Sequence, residues 1–419
     1  MIRKYKLFKM FLYAILSLLP LVFGSCSKEK QPVPETKTSL DFKTFNDFNS
    51  YLTKVASIND SISRTQSLDS LWSYLSAHNK IPFVVADSVA FLYRGNANSV
   101  AWAGDFSQWN PSFVGLKVGN SNVWMCLKTF PSNSRLDYKI VLNSTNWIID
   151  LANPLRQNSG YGENSVLKMP YYEEPHQTIY QNGITYGTFS TRQIIYSTQL
   201  AYNVAYRIYT PFGYENLSNL PVIYITDGQE YADGTLGCML NVLDNMIHEG
   251  SIKPVIAVFI DPRNTETAEN RRVTELNCNP QYAKFLATEL VPHIDTTYKT
   301  APLRESRAIL GTSMGGLNSA YMGATYSNIF KLIAIQSPAF WYNNSVYTPY
   351  ENGPMLNLKI FLSTGTIFDT QPEALRLKAI LQAKGYPFKY IETNESHSWG
   401  NWKALLDDVL IYFFATQQS

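Results

Sequence analysis

One pentapeptide of this 419-residue chain has the pattern of a nucleophilic turn, 311-GTSMG-315. It follows a strand-like run at 307–310 and precedes a helix-like stretch that continues through Tyr321. A serine on such a tight turn stands exposed at the carboxyl end of a sheet, and the small residues two before and two after it let strand and helix approach each other. The pentapeptide alone is a weak signal, but the preceding strand and the following Gly316 strengthen it. Ser313 is therefore the candidate nucleophile.

A base and an acid must accompany this serine, because a hydroxyl is a poor nucleophile until its proton is removed. On scaffolds with this turn, the order along the chain is serine, acid, histidine. His397 is the only histidine after Ser313, and Asp369 is the only aspartate between the two. We therefore predict that Ser313, His397 and Asp369 form a catalytic triad. The rival acids in the same interval are Glu351, Glu373, Glu392 and Glu395.

The tetrahedral intermediate of acyl transfer needs hydrogen-bond donors for its oxyanion. One predicted donor is the backbone N–H of Met314, directly after the nucleophile. The other should come from the loop 227-DGQE-230, which follows the strand-like run at 222–226. Gly228 and Gln229 are both candidates for this second donor.

Four further residues are possible substrate-binding residues, each with a structural alternative. Trp399 and Trp402 flank His397 in 396-SHSWGNW-402 and either pack in the core or form a wall for the substrate. Arg272 and Glu275 lie in 270-NRRVTEL-276 and either form an ion pair at a helix start or border the pocket.

The cysteine and histidine spacings do not resemble a metal site. There is no C-x-x-C or H-E-x-x-H, and the five histidines are scattered, so no metal site is predicted. Acyl transfer through a serine implies no organic cofactor either. Once Cys26 is set aside, three cysteines remain, which leaves at least one thiol unpaired. Cys238 and Cys278 are a possible disulfide pair, and the sequence leaves this open.

The part of the chain that contains these motifs alternates between strand-like runs and helical stretches. Such alternation predicts a parallel sheet covered by helices on both faces. The helical stretches include 281–294 and 373–385. The strand-like runs lie at 201–210, 221–226, 254–260, 307–310, 331–335, 358–363 and 387–392.

The first part of the chain has a different pattern. Apolar residues recur at helical spacing in 42–55 and again from Leu68 to Leu75, before Pro82. Short strand-like segments separated by Gly, Asn, Ser and Pro then predict an all-β sandwich. The predicted boundaries are a helical segment at 41–82, a β-sandwich at 83–168, a linker at 169–184 and an α/β domain at 185–419.

The first 26 residues have the pattern of an export signal. A basic start is followed by an apolar run from Met10 to Phe23, which is too short for a comfortable membrane span. The run ends in Gly24-Ser25-Cys26, which resembles a bacterial lipoprotein cleavage site, although Phe23 departs from the usual Leu. We expect a lipoprotein signal peptide at 1–25, lipidation of Cys26, a flexible tether at 26–40, and a protein anchored in the bacterial cell envelope.

Composition and charge exclude some classes of protein. A chain with 45% hydrophobic and 16% charged residues has a globular composition rather than a disordered one. Residues 1–25 contain four of the 35 basic residues and no acid, so 31 basic and 33 acidic residues remain, a net charge near −2. A nucleic-acid partner is therefore not expected.

The motifs resemble those of an esterase family that includes enterochelin (ferric-siderophore) esterases, feruloyl and acetylxylan esterases of carbohydrate esterase family 1, and mycolyl transferases. The resemblance covers most of residues 185–415, and the Asp-Gly-Gln stretch is most similar to the enterochelin esterase branch. The segments that carry it are 207-RIYTPFGYE-215, 222-VIYITDGQE-230, 272-RVTEL-276, 311-GTSMGG-316 and 397-HSWGNW-402.

The front domain adds to this resemblance. Its segments resemble the early-set (immunoglobulin-like) β-sandwich that precedes the catalytic domain of enterochelin esterases, and also the carbohydrate-binding modules of glycogen-branching enzymes. The segments are 91-FLYRGNANSVAWAGDFSQWNP-111, 138-YKIV-141 and 150-DLANPLRQNSGYGENSVLKMP-170. The resemblance implies an α/β-hydrolase fold with a mostly parallel sheet, and it implies Ser313, Asp369 and His397 as the triad.

Three functions are compatible with these features. The first is a serine ester hydrolase that cleaves ester or trilactone bonds of a siderophore. The second is the same chemistry on feruloyl or acetyl groups of plant polysaccharide, with the sandwich binding glycan. The third is a non-enzymatic surface lipoprotein, which the intact triad disfavours. The expected partners are thus a small-molecule or glycan-linked ester and, through Cys26, a membrane.

Overall fold

Two helices open the part of the chain that this computed structural model describes, residues 40–416. The predicted signal peptide, Cys26 and the tether up to residue 39 lie outside the described residues. Helix α1 (Phe45–Ala56) begins at a reciprocal capping box between Thr44 and Asp47, and α2 (Ser61–Ala77) begins after the N-cap Asp60. No helix within residues 40–416 is long and apolar enough to cross a bilayer.

Antiparallel strands follow and form two sheets, as the short strand-like segments predict. One sheet has the order β1-β2-β6-β5 and the other β4-β3-β7-β10-β9, with β8 paired to β7. Phe91, Trp102 and Tyr138 are buried between them, while α1 and α2 pack on the first sheet, where the rings of Phe48 and Phe83 stack 4.0 Å apart. The strands are β1 (Phe83–Val85), β2 (Ser88–Arg94), β3 (Val100–Gly104), β4 (Phe113–Val114), β5 (Leu116–Lys117), β6 (Val123–Thr129), β7 (Arg135–Leu142), β8 (Asn146–Ile148), β9 (Arg156–Ser159) and β10 (Gly162–Lys168).

A third, mostly parallel sheet forms the centre of the hydrolase region that follows the sandwich. Its order is β11-β13-β15-β14-β16-β17-β18-β19, with β12 paired to β13. The pairs from β15 through β14 and β16 to β19 are parallel, and β13 is antiparallel to β15. The strands are β11 (Thr188–Phe189), β12 (Gln193–Ser197), β13 (Tyr202–Thr210), β14 (Val222–Ile225), β15 (Ile256–Asp261), β16 (Arg307–Thr312), β17 (Leu332–Gln336), β18 (Lys359–Gly365) and β19 (Phe388–Thr393).

Helices cover both faces of this sheet. One face buries a cluster around Leu286, Ile294 and Leu317, and the other a cluster around Met239, Leu243 and Leu406. The predicted α/β-hydrolase domain with a preceding β-sandwich is confirmed. The helices are α3 (Gly228–Tyr231), α4 (Met239–His248), α5 (Arg272–Leu276), α6 (Pro280–Phe285), a π-helical turn (Leu286–Leu290), α7 (Val291–Thr297), α8 (Met314–Thr325), α9 (Thr348–Asn352), α10 (Gln371–Lys384), α11 (Trp399–Ala404) and α12 (Leu406–Phe414).

The segment predicted as a linker, 169–184, is held against α4. The side chain of Asn245 is buried and donates hydrogen bonds of 2.9 Å to the carbonyls of Gln177 and Ile179. Asn241 donates in the same way to the carbonyl of Thr178. The connection between sandwich and parallel sheet is therefore fixed by side-chain contacts with backbone groups.

The possible disulfide between Cys238 and Cys278 is absent, and the three cysteines within residues 40–416 are free thiols. The parallel sheet lies between the two candidates. Cys278 packs against the cluster on one face, while Cys238 immediately precedes Met239, which belongs to the cluster on the other face. A disulfide requires Cα atoms within about 7 Å, so a bridge across the sheet is impossible.

Candidate active site

Ser313 lies on the tight turn between β16 and α8. Its backbone has φ 57° and ψ −115°, a region that non-glycine residues rarely occupy. A β-carbon at Gly311 would overlap the backbone of Gly315, and one at Gly316 would press on the carbonyl of Gln336. The glycines around Ser313 thus permit the close approach of strand and helix that this turn requires.

The structure brings His397 and Asp369 to Ser313. His397 Nε2 lies 2.9 Å from Ser313 Oγ, and His397 Nδ1 lies 2.7 Å from Asp369 Oδ1. Parallel pairing explains this convergence, because β16, β18 and β19 end at the same edge of the sheet and the three side chains follow these ends. With Nδ1 protonated toward the carboxylate, Nε2 is free to accept the proton of the hydroxyl.

Asp369 is almost fully buried and is surrounded by donors. Its Oδ2 accepts hydrogen bonds of 2.6 Å from Ser337 Oγ and from the N–H of Gly365, and a longer one from Asn401. Burial raises the pKa of Asp369, but the hydrogen bond and charge of His397 and the other donors outweigh burial, and the net pKa lies below its usual value. The carboxylate therefore stays ionised beside the imidazole.

The four rival acids lie elsewhere. Glu395 is buried near Arg135 of the sandwich, and Glu351 pairs with Arg376 at 3.6 Å. Glu373 is in the first turn of α10, and Glu392 accepts a hydrogen bond from Tyr390. The carboxylate on His397 is that of Asp369.

Trp399 and Trp402 are buried and also line the cleft that contains Ser313. The ring of Trp402 meets His397 edge to face, with centroids 4.9 Å apart, and its Nε1 donates to Ser337 Oγ at 3.0 Å. Trp399 Nε1 donates to Glu230 at 3.1 Å. Both interpretations of these tryptophans are compatible with this placement, because each packs in the core and presents an edge to the cleft.

Arg272 and Glu275 do not form the helix-start ion pair that their spacing allows. Arg272 pairs instead with the buried carboxylate of Asp227, with Nε 2.8 and 2.9 Å from its two oxygens, and it lines the cleft. Glu275 is buried away from the cleft lining and accepts a 2.7 Å hydrogen bond from Tyr202. The ion pair that the helix spacing allows does not form, because Arg272 is needed to compensate the buried charge of Asp227 after β14.

The predicted oxyanion donors occupy two different positions. Met314 is the first residue of α8, so its N–H has no acceptor within the helix and adjoins the nucleophile. Gly228 and Gln229 line a second cavity of about 790 Å³, whereas Asp227 and Glu230 are the residues of this loop that line the cleft. The structure does not place either Gly228 or Gln229 in the wall around Ser313, and their role stays a prediction.

The cleft is lined by residues of both the β-sandwich and the hydrolase region and has a volume of about 1150 Å³. The hydrolase side contributes Ser313, His397 and the exposed ring of Phe368. Across from them the sandwich contributes polar groups and aromatic rings, some largely exposed. These residues include Asp105, Gln108, Trp109, Lys139, Trp147 and Tyr161.

Residues 197–413 match the family model described as "Putative esterase", which covers more than half of the chain. This chain belongs to that esterase family. The resemblance of its motifs to an esterase family is thereby confirmed, and the protein is an esterase.

Three relatives show the extent of the similarity. The esterase is 26% identical over 201 residues to an iron(III) enterobactin esterase of Dickeya dadantii, covering 46% of this chain and 44% of that one. It is also 26% identical over 217 residues to an endo-1,4-beta-xylanase/feruloyl esterase of Xylanibacter ruminicola, covering 48% of this chain and 28% of that one. It thus spans less than half the length of either. The crystal structure of ferric enterobactin esterase from Salmonella typhimurium has a similar fold, with a TM-score of 0.66 at 18% identity, over 78% of this chain and 93% of that one.

Sequence reasoning missed Ser337 and Asn401, which hold Asp369. Ser337 directly follows β17, the neighbour of the nucleophile strand, and Asn401 lies four residues after His397 in α11. The position of Ser337 at a strand end was the available signal, since polar residues at the carboxyl edge of a parallel sheet converge on the site.

Glu275 makes the free energy of unfolding of the esterase depend on pH. Burial raises its folded pKa to about 8, above the ordinary value of 4.5, and one carboxylate oxygen has no hydrogen-bond partner. The folded state therefore binds the proton more tightly than the unfolded chain, so this group lowers the free energy of unfolding as pH rises from 4.5 to about 8.

We expect Glu275→Gln to remove this decline, because the amide keeps an acceptor for Tyr202 and never ionises. Urea unfolding at several pH values measures the effect. Glu269→Gln, which changes an exposed carboxylate, should retain the wild-type slope. Parallel pH curves for wild type and Glu275→Gln would contradict the assignment.

Proposed function

We propose that this protein is a serine carboxylic-ester hydrolase that works through an acyl-enzyme. The observation that carries the proposal is the continuous hydrogen-bonded series from Ser313 Oγ through His397 to the buried Asp369. Membership of the esterase family supports the same chemistry.

The reaction begins when His397 Nε2 accepts the proton of Ser313 and the alkoxide oxygen attacks the ester carbonyl. The N–H of Met314 is positioned next to the nucleophile to donate to the resulting oxyanion, with a second donor proposed from Gly228 or Gln229. Protonated His397 then gives its proton to the leaving alcohol, and Asp369 stabilises the imidazolium throughout. Water, deprotonated by His397, then attacks the acyl-enzyme and forms a second tetrahedral intermediate. Its collapse breaks the bond to Ser313 Oγ and releases the carboxylic acid, while His397 returns the proton to Ser313.

Replacing the nucleophile tests this mechanism. We expect Ser313→Ala and His397→Ala to lower kcat by about four orders of magnitude or more, with unchanged far-UV and near-UV circular dichroism. Ser112→Ala, at an exposed position of the sandwich, is the matched control and should retain full activity. Undiminished ester hydrolysis by a folded Ser313→Ala protein would exclude this mechanism.

For the substrate, we propose ester or trilactone bonds of a siderophore. The enterobactin esterase of Dickeya dadantii is a relative in sequence, and the similarity of fold to the Salmonella enzyme covers 78% of this chain, more than the hydrolase region alone. The sandwich supplies one wall of the cleft, so a bulky substrate would contact both regions.

The charges of the cleft favour a second candidate, a feruloyl or acetyl ester of plant polysaccharide. The guanidinium of Arg272 is neutralised by Asp227, which leaves Lys139 as the lining cation without an ion pair among residues 40–416. Trp109, Trp147 and Tyr161 offer flat apolar surface on the sandwich wall. A weakly charged aromatic acyl group or a sugar would use that surface.

Direct competition decides between the substrates. We expect a higher kcat/KM for ferric enterobactin than for a feruloylated arabino-oligosaccharide, with Ser313→Ala as the blank for both. A large preference for the feruloyl ester would reject the siderophore assignment and recast the sandwich as a sugar-binding wall. Lys139→Met should weaken binding of the trianionic ferric complex more than binding of the neutral feruloyl ester, because only the ferric complex would pair with the lysine.

We further propose that the esterase is a lipoprotein of the bacterial envelope, anchored through Cys26. Its basic start and short apolar run before Gly24-Ser25-Cys26 support this. We expect the wild-type chain to incorporate labelled fatty acid and to sediment with membranes, and Cys26→Ala to do neither. A Cys238→Ala variant controls for loss of a thiol elsewhere, and equal labelling of wild type and Cys26→Ala would reject the anchor.

A further inference from the structure

Helix α11 directly supports both His397 and Asp369. Asn401 donates to the carbonyl of Ser396 at 3.0 Å and reaches Asp369 Oδ2 at 3.4 Å. Trp402 packs its ring against His397 and donates to Ser337, which in turn donates to Asp369. A shift of this helix would therefore move the histidine and the acid of the triad.

The opposite side of α11 rests on the sandwich. Gly400 lies so close to the guanidinium of Arg135, at the start of β7, that a β-carbon at this position would overlap it. One turn along the helix, Lys403 Nζ donates to Gln157 Oε1 at 2.7 Å, and Arg135 Nη2 lies 3.2 Å from the same oxygen. Helix α11 thus packs on the guanidinium of Arg135 from β7 and on the side-chain amide of Gln157 from β9.

Arg135 is itself held by a buried ion pair. Its side chain is buried and its Nη1 lies 3.0 Å from Asp137 Oδ1. Asp137 is fixed in turn by Asn164, which donates to its carboxylate, and by Asp105, which accepts from its backbone N–H. Moving the guanidinium would leave a buried charge unpaired, which is strongly unfavourable.

We propose that Arg135 is a positioning residue for the triad, acting through Gly400 and α11. The sandwich then serves the reaction beyond lining the cleft, because its buried guanidinium sets where the helix behind His397 lies. Misplacement of a reacting group by about 1 Å costs up to a hundredfold in rate. The inference rests on the proposed function, since it needs the triad to be the catalytic group.

Gly400→Ala in the full chain tests the contact from the helix side. Alanine is the better helix former, so the change does not weaken α11 by itself. The added methyl group overlaps Arg135, and we expect kcat to fall about tenfold to a hundredfold with KM little changed. Gly234→Ala is the matched control, because a β-carbon there meets nothing within 4 Å, and it should keep wild-type kinetics.

Arg135→Lys tests the contact from the sandwich side. Lysine keeps a cation for Asp137 but lacks the planar group that lies on Gly400. We expect a lower kcat with little change in KM, and a double variant with Gly400→Ala whose loss is smaller than the product of the two single losses. Losses that multiply would show that the two residues act independently and would overturn the proposal.

The same assay separates this inference from the proposed function. An active Ser313→Ala protein would reject the triad itself. An inactive Ser313→Ala protein, together with wild-type kcat in Arg135→Lys and Gly400→Ala, would reject only the positioning role. Thermal unfolding establishes that each variant is folded. If Gly400→Ala does not fold, the division between kcat and KM in Arg135→Lys decides the question.

Discussion

The buried carboxylate of Asp369 is the constraint on which the site depends. An ionised group away from water must be surrounded by donors, and here they come from the ends of β17 and β18, from α11 and from His397. These donors meet only because parallel neighbours in the sheet end at one edge. The order of the strands therefore determines the electrostatics of the site, and the electrostatics keep the imidazole in the orientation that acyl transfer needs.

The same requirement explains the second buried acid of the cleft. Asp227 follows β14 and is buried, and it takes Arg272 from α5 as its partner. Arg272 Nη2 also donates to the carbonyl of Thr312, next to the nucleophile. The ion pair thus braces the turn of Ser313 at Thr312, the residue before the nucleophile. Two acids at strand ends, each with its own donors, therefore support the nucleophile and the histidine.

How far the sequence predicts this structure depends on whether a feature is local. The turn at Ser313 was predictable because glycine spacing records a backbone contact, and His397 because it is the only histidine that follows. The pairing of Arg272 with Glu275 was a wrong alternative, since helix spacing says nothing of a buried Asp227 some 45 residues earlier. Arg135 left no signal either, because its contact with Gly400 joins two regions whose packing is decided by the whole fold. The glycine in 397-HSWGNW-402 can be recognised as a contact residue only after the structure shows that Arg135 packs against it.

The balance of charges in the cleft has a consequence for selectivity. Burial and the neighbouring Asp137 raise the pKa of Asp105 well above its usual range, and burial likewise raises the pKa of Glu230, so burial disfavours the ionised form of both acids. Arg272 is compensated by Asp227. A cleft whose lining guanidinium is paired, and where burial disfavours charge on the acids, would select substrates by shape and ring contact more than by electrostatic attraction. Of the two proposed substrate classes, an anionic siderophore would therefore rely on Lys139, and a feruloyl group on the aromatic rings that line the same cleft.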